Sequence, residues 1–163
     1  MAELSPVDWA KRPIQKYADF TGRAPRAEYW WYVLATIVAY VVLMMVERLL
    51  GLDTMIGPYG LLTFALMLAL LVPGIAVGIR RLHDTNRSGW WMLLMVPYLI
   101  STILAVAAMS SGSMAGLGAA GFLGLIGLVC AVVLLVFMVL PGTPGANDYG
   151  PDPYGADVEK VFA

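Results

Sequence analysis

The sequence predicts an all-α integral membrane protein: a four-transmembrane-helix bundle with a short N-terminal interfacial helix and a cytoplasmic, turn-rich C-terminal cap. Of its 163 residues, 60% are hydrophobic and only 13% are charged. A typical soluble domain is about 45–50% apolar and about 25% charged. The apolar residues also form long uncharged runs, and the basic residues cluster between those runs. The length suits a single membrane domain over residues 1–163.

The uncharged runs are long enough to cross a bilayer, which takes about 20 helical residues. The first starts at an aromatic cluster around Trp30, as expected for rings at the headgroup level. Pro73 and Pro97 fall inside the second and third runs, where proline is expected to bend a helix. The predicted spans are about 30–50, 58–80, 90–109 and 116–140.

The third and fourth spans come from one stretch, Trp90 to Leu140, whose 51 residues include no Asp, Glu, Lys, Arg or His. A single helix of that length would run about 77 Å, far beyond the thickness of a bilayer. The chain is therefore expected to turn back at the small polar cluster 110–113. The fourth span opens with a stripe of glycines, which allows tight helix packing and offers an interface for a homo-oligomer. These glycines are Gly116, Gly118, Gly121, Gly124 and Gly127.

The basic residues set the predicted orientation. Nine of the ten fall on one side of the four-span layout, and only Arg48 falls opposite. The positive-inside rule places the basic side, with both termini, in the cytoplasm. In this orientation, Glu47 and Arg48 lie at the outer interface, where we interpret the pair as an anchor. The nine are Lys11, Arg12, Lys16, Arg23, Arg26, Arg80, Arg81, Arg87 and Lys160.

The two ends of the chain differ in character. Segment 6–27 mixes aromatic and basic residues at helical spacing, which predicts a short helix lying in the membrane interface. Ser5–Pro6 suits its start, whereas Pro13 argues against an unbroken helix. In the C-terminal tail 141–163, prolines flank glycines, so a chain of turns is expected.

Three polar stretches adjoin the span ends on the basic side, at 20–30, 80–91 and 141–153. They are expected to meet in space. If the second stretch is helical, Arg80, Asp84 and Arg87 share one face. Ser88 or Asn86 can cap the third span, and Asn147 and Asp152 are suited to bind exposed backbone groups.

These stretches read F-x-G-R-x-x-R-x-E-Y-W, R-R-L-H-D-x-x-x-S-G-W-W and G-x-N-x-Y-G-x-D-P. Together they resemble the domain of unknown function 805 family, small bacterial inner-membrane proteins, from about Trp9 to Pro153. The resemblance implies a location in the bacterial inner (plasma) membrane and a layout, not a mechanism. Asp148 departs from the family pattern, in which a basic residue is common, so no charge-based role is carried over to it.

Two roles for the polar stretches remain open. As a structural cap, their arginines would pair with Glu28, Asp84 and Asp152 while the turn segment folds over the helix ends. As a binding site, they would hold an anionic ligand or a lipid headgroup, since arginine binds phosphate bidentately. A partner protein is a further candidate ligand. The candidate binding residues are Arg23, Arg26, Glu28, Arg80, Arg81, His83, Asp84, Asn147, Tyr149 and Asp152.

Other functions are less favoured. His83 is the single histidine, and its neighbour Asp84 would point away from it on a helix, so we predict no catalytic residue, cofactor or metal ion. A net charge of −1 gives no reason to expect nucleic acid as a partner. The expected partners are the lipid bilayer, anionic lipid and a second copy of the chain. The sequence thus predicts a non-enzymatic membrane protein; the alternative is a small transporter or channel subunit acting as an oligomer.

Overall fold

A computed structural model describes residues 4–52 and 59–154, most of which are helical and none of which forms a strand. Four helical units are long and apolar enough to cross a membrane, and this confirms the predicted fold class. The third of these units starts as a 3₁₀ segment, Gly89–Met95, which continues directly into α4. The helices are α1 (Pro6–Gln15), α2 (Arg26–Leu50), α3 (Leu61–Asp84), α4 (Val96–Ser111) and α5 (Met114–Val139).

Helix α1 starts with a capping box. The Ser5 hydroxyl accepts a hydrogen bond from the backbone N–H of Asp8, and the Asp8 carboxylate accepts one from the backbone N–H of Ser5, both at 3.2 Å. These bonds satisfy donors that a helix N-terminus otherwise leaves free. The hydrogen bond that the Ser5 hydroxyl donates to the Asp8 carboxylate at 2.6 Å, and then that from the Ser5 N–H, hold the pKa of Asp8 below its ordinary value. Pro13 lies within the helix, which continues only to Gln15, and it is buried. The predicted N-terminal helix is therefore present despite its proline.

Pro73 lies in the middle of α3 and has no N–H to donate to the carbonyl of Ala69, four residues earlier. The hydroxyl of Tyr17 donates a hydrogen bond to that carbonyl at 2.7 Å. The hydroxyl of Tyr32, from α2, binds the next carbonyl, that of Leu70, at 3.1 Å. Two tyrosines from earlier in the chain thus bind α3 at the turn that its proline weakens.

The third span differs from its prediction at Pro97. The Ser88 hydroxyl caps the 3₁₀ segment by accepting a hydrogen bond from the N–H of Trp90 at 3.4 Å, as predicted for this residue. The α-helix begins at Val96, so Pro97 stands in its first turn, where no intrahelical N–H donor is needed. Pro97 therefore marks the change from 3₁₀ to α geometry and does not bend the interior of a helix.

Helices α4 and α5 form a hairpin that uses part of the glycine stripe. A methyl group on Gly127 would lie 2.8 Å from the Cα of Tyr98, and one on Gly124 would lie 3.1 Å from the hydroxyl of Ser101. Gly118 and Gly121, by contrast, have no heavy atom within 4 Å of that position. Some of the stripe is thus occupied within one chain, and the predicted homo-oligomer interface would have to use the open glycines.

Glu47, at the opposite end of the bundle from the polar stretches, does not serve as an interface anchor. It is 1% exposed, and its carboxylate accepts hydrogen bonds from the N–H of Leu62 at 2.5 Å and the N–H of Thr63 at 3.1 Å. It therefore caps the N-terminus of α3, where a negative charge is favoured. Lys160, one of the nine basic residues that set the predicted orientation, lies outside the described residues.

The hydrogen bond from Tyr17 can be tested by a double-mutant cycle. We expect Tyr17→Phe to lower the free energy of unfolding by about 1 kcal/mol. In a Pro73→Ala background the same change should cost much less, because the introduced alanine would donate its own N–H to the Ala69 carbonyl. The measurement is reversible unfolding in mixed detergent micelles. Equal losses in both backgrounds would contradict this account of Tyr17.

Candidate functional site: the polar cap

The three polar stretches meet at one end of the bundle, as predicted. We call residues 20–30, 80–91 and 141–153 the polar cap. The backbone N–H of Ala24 donates to the carbonyl of Arg80 at 2.9 Å. The N–H of Thr143 donates to the carbonyl of Asp84 at 2.8 Å. Backbone bonds therefore join both flanking stretches to the end of α3.

Asp84 is the last residue of α3 and is almost fully buried, at 3% exposure. One carboxylate oxygen accepts a hydrogen bond from Nε of Arg23 at 3.0 Å. The other accepts a hydrogen bond from the guanidinium of Arg81. One buried carboxylate is thus shared between two buried guanidinium groups, which supplies the compensation that buried charges require.

The predicted alignment of Arg80, Asp84 and Arg87 on one helix face is wrong. Helix α3 ends at Asp84, and Asn86 adopts a left-handed conformation with φ of 56°. The N–H groups of Asn86 and Arg87 return to the carbonyls of His83 and Leu82 at 3.0 Å, a pattern that closes many helix C-termini. Arg87 consequently leaves the helix, and its guanidinium stacks 4.3 Å from the ring centre of Phe137.

Arg23 holds the C-terminal turn segment. Its guanidinium donates to the carbonyl of Gly145 at 2.5 Å and to that of Thr143 at 2.6 Å, in addition to Asp84. The segment has no regular structure to pair these carbonyls, so the arginine supplies their donors. The side chain of Arg23 is therefore fully used by contacts within the chain.

Arg81 and Arg26 bind the C-terminal end of α5. Nε of Arg81 donates to the carbonyl of Met138 at 3.1 Å, and its terminal nitrogen donates to that of Leu140. Nε of Arg26 donates to the Leu140 carbonyl at 3.0 Å. The last carbonyls of a helix lack intrahelical donors and carry partial negative charge, so both cations are well placed here.

The turn segment is held by polar side chains, as predicted for Asn147 and Asp152. The Asn147 amide donates to the His83 carbonyl at 2.8 Å, and its oxygen accepts from the N–H of Tyr149 at 2.9 Å. Asp152 accepts from the N–H groups of Tyr154 at 2.9 Å and Gly145 at 3.0 Å. These donors, first that of Tyr154, hold the pKa of Asp152 below its ordinary value. Its predicted pairing with an arginine is absent within the described residues, because these backbone groups occupy its carboxylate.

His83 also has contacts within the cap. Its ring stacks on that of Tyr149, with centroids 3.9 Å apart and planes 5° from parallel. Its Nδ1 lies 3.1 Å from the carbonyl oxygen of Gly22. Asp84 faces the arginines instead, so the two side chains form no catalytic dyad. The described residues contain no group of three or more His, Cys, Asp and Glu side chains arranged to hold a metal ion.

Arg80 and Glu28 form a second buried pair, separate from Asp84. The side chain of Arg80 is fully buried, and its terminal nitrogen lies 2.9 Å from a Glu28 oxygen without hydrogen-bond alignment. None of the three guanidinium nitrogens of Arg80 has a hydrogen-bond acceptor within the described residues. Arg12, on α1, lies 4.0 Å from the other Glu28 oxygen. The sequence motifs did not include Arg12, because it precedes them.

The family model described as "Protein of unknown function (DUF805)" matches residues 17–151, which include the whole polar cap except its final residues. The chain belongs to the DUF805 family. Inner membrane protein YhaH of Escherichia coli K12 is 34% identical over 148 residues, covering 90% of this chain and 97% of that protein. Inner membrane protein YhaI of the same strain is 38% identical over 101 residues, covering 61% of this chain and 81% of that protein. No solved structure matches the chain.

Membership of the DUF805 family confirms the resemblance read from the three motifs. It agrees with the four apolar helices, since the named relatives are inner membrane proteins. The structure adds what the motifs do: residues of all three bind one another across the end of the bundle. Most of the candidate binding residues thus already have hydrogen-bond partners within the cap; the exceptions are Arg80 and Glu28, whose ion pair at 2.9 Å is not aligned as a hydrogen bond.

Gly142 provides a test of how tightly the cap is packed. A methyl group on this residue would overlap a carboxylate oxygen of Asp84, so Gly142→Ala must displace the turn segment or the carboxylate. Overpacking of this kind costs about 1–3 kcal/mol, and we expect a lower thermal unfolding midpoint in detergent. Gly118→Ala, where the added methyl meets open space, is the matched control. An unchanged midpoint in Gly142→Ala would show that the cap is looser than described.

Proposed function

We propose that this chain is a non-enzymatic inner-membrane protein whose cap binds the phosphate of an anionic phospholipid headgroup through Arg80. The observation that carries the proposal is a fully buried guanidinium whose ion-pair partner is Glu28 and whose N–H groups have no aligned hydrogen-bond acceptor within the described residues. Each buried donor without an acceptor costs about 1–3 kcal/mol. A phosphate offers several acceptor oxygens in a geometry that a guanidinium can bind bidentately.

Local charge supports an anion at this position. Arg80, Arg12 and Lys16 face the carboxylates of Glu28 and Asp19, so this cluster carries an excess of one positive charge. The Asp84 cluster also has two arginines to one carboxylate, but backbone carbonyls of the turn segment and of α5 accept from Arg23 and Arg81. Arg80 has no such acceptors within the described residues. The Arg80 cluster is therefore the one whose excess positive charge is not compensated by backbone carbonyls.

Access to Arg80 would come from the side of α1. Arg12 is 38% exposed and contacts Glu28, so three alternating charges lead from the surface to the buried guanidinium. Val7 and Ile14 of α1 are exposed apolar side chains, as expected for a helix resting on a membrane surface. A headgroup phosphate that approaches from this side would have to displace α1 to reach the buried guanidinium.

The proposal places the cap and both termini in the cytoplasm. Its support is the distribution of basic residues, nine of which fall on the cap side of the four spans. The cytoplasmic leaflet attracts such residues through its anionic lipids. An oligomeric transporter or channel has weaker support, because the buried Glu47 caps a helix and the buried cap residue Asp84 binds arginines. Neither carboxylate is therefore free to act as a titratable group along a conduction path.

The proposal can be tested by thermal unfolding in nanodiscs of phosphatidylcholine, with and without phosphatidylglycerol. Either single change, Arg80→Gln or Glu28→Gln, breaks the buried pair and costs about 3–5 kcal/mol. Each variant is therefore compared with itself in the presence and absence of phosphatidylglycerol, and Glu28→Gln is set against the double variant Glu28→Gln/Arg80→Gln, which differs from it only at Arg80. We expect phosphatidylglycerol to raise the midpoint of the parent and of Glu28→Gln, and not that of the double variant.

Arg87→Gln is the control for general loss of positive charge, since this arginine stacks on Phe137 outside the cluster. It should retain the shift caused by phosphatidylglycerol. Equal shifts in Glu28→Gln and in the double variant would assign the lipid effect to other basic residues and refute the role of Arg80. Absence of any shift in the parent would refute lipid binding by the cap and favour a partner protein as its ligand.

A further inference from the structure

A cavity of about 490 Å³ lies between α2, α3, α5 and the 3₁₀ segment, next to the polar cap. Its size is within the range of about 300–1,000 Å³ that is usual for small-molecule sites. Aliphatic and methionine side chains make up most of the wall. Helix α2 adds the side chains of Tyr29, Tyr32, Thr36 and Tyr40.

The cavity has both buried and exposed wall residues. Val77, Leu134 and Met138 are buried. Leu71 of α3 and Leu135 of α5 also line the cavity and yet are 55% and 52% exposed, so the cavity is open beside these two residues. Both lie within membrane-spanning helices, so the opening faces the hydrocarbon of the bilayer.

This position determines what can fill the space. Protein interiors are close-packed, and voids larger than a water molecule are few. Water would find few hydrogen-bond partners on an apolar wall, and such cavities remain dry or take apolar ligands. The neighbouring solvent here is hydrocarbon, and a flexible chain can enter sideways without crossing a polar layer.

We infer that the cavity binds one acyl chain of a membrane phospholipid. Gly74 helps to make the room, since a methyl group there would lie 3.7 Å from the Tyr32 hydroxyl at the edge of free space. The inference extends the proposed function by assigning a site for the hydrophobic part of the lipid. It requires only the cavity and not the Arg80 cluster, so the two proposals can fail separately.

The test is the phospholipid content of the protein after purification in a mild detergent, measured by lipid extraction and mass spectrometry. Ala131 lines the open part of the cavity, so Ala131→Phe should fill it. Gly74→Leu should fill it from α3 and serves as a second variant if the first folds poorly. Val132→Phe is the matched control, because Val132 adjoins Ala131 but is 52% exposed and not part of the wall.

We expect the parent and Val132→Phe to retain phospholipid, and both filling variants to retain several-fold less. Equal phospholipid in all four proteins would overturn the inference. So would an isoprenoid lipid in place of phospholipid, or a dimer in which a second copy covers the opening and no lipid is found. Unchanged lipid content in Ala131→Phe, with headgroup selectivity lost on removing Arg80, would overturn the cavity site and leave the headgroup site standing.

Discussion

The carboxylate of Asp84 is the interaction on which the polar cap depends. It binds Arg23 from the N-terminal stretch and Arg81 from its own helix, and these two arginines distribute their remaining donors over the end of α5 and the turn segment. Three parts of the chain far apart in sequence are thus joined through one buried negative charge. Without it, two buried guanidinium groups would lack their counter-ion, a situation that proteins rarely tolerate.

The spans could be predicted from the sequence because lipid requires long uncharged helices, and such runs are visible without knowledge of packing. The partners within the cap could not. Arg81 and Asp84 are three residues apart on α3, a spacing at which side chains of a helix meet, but the other partner of Asp84, Arg23, comes from a stretch 61 residues away in sequence. The hydrogen bond from Tyr17 to the Ala69 carbonyl could not be predicted either. Pro73 indicates which carbonyl lacks a donor, but it does not indicate which side chain supplies one. The position of Glu47 at a helix end is visible in the sequence, but its hydrogen-bond partner Thr63 is 16 residues away and belongs to the next helix.

The two buried charge clusters of the cap differ in how many of their hydrogen-bond donors have acceptors. This difference suggests a structural role for one cluster and a binding role for the other. The Asp84 cluster is closed by backbone carbonyls and explains why the three motifs occur together. The Arg80 cluster has guanidinium N–H groups without aligned acceptors and lies where α1, α2 and α3 meet. The cavity lies between α2, α3, α5 and the 3₁₀ segment, and its exposed wall residues Leu71 and Leu135 belong to membrane-spanning helices. An incomplete charge cluster and an apolar cavity in one bundle form an arrangement suited to an amphiphilic lipid.

Backbone hydrogen exchange of the turn segment in Asp84→Asn tests the central role of Asp84 most directly. The account predicts faster exchange at Thr143, Gly145 and Asn147 than in the parent, with unchanged protection in the middle of α2 and α5. Asp148→Asn, which alters an exposed carboxylate of the same segment, should leave all these rates unchanged. Parent-like protection of Thr143 and Gly145 in Asp84→Asn would contradict the account, because the segment would then be held without the shared carboxylate.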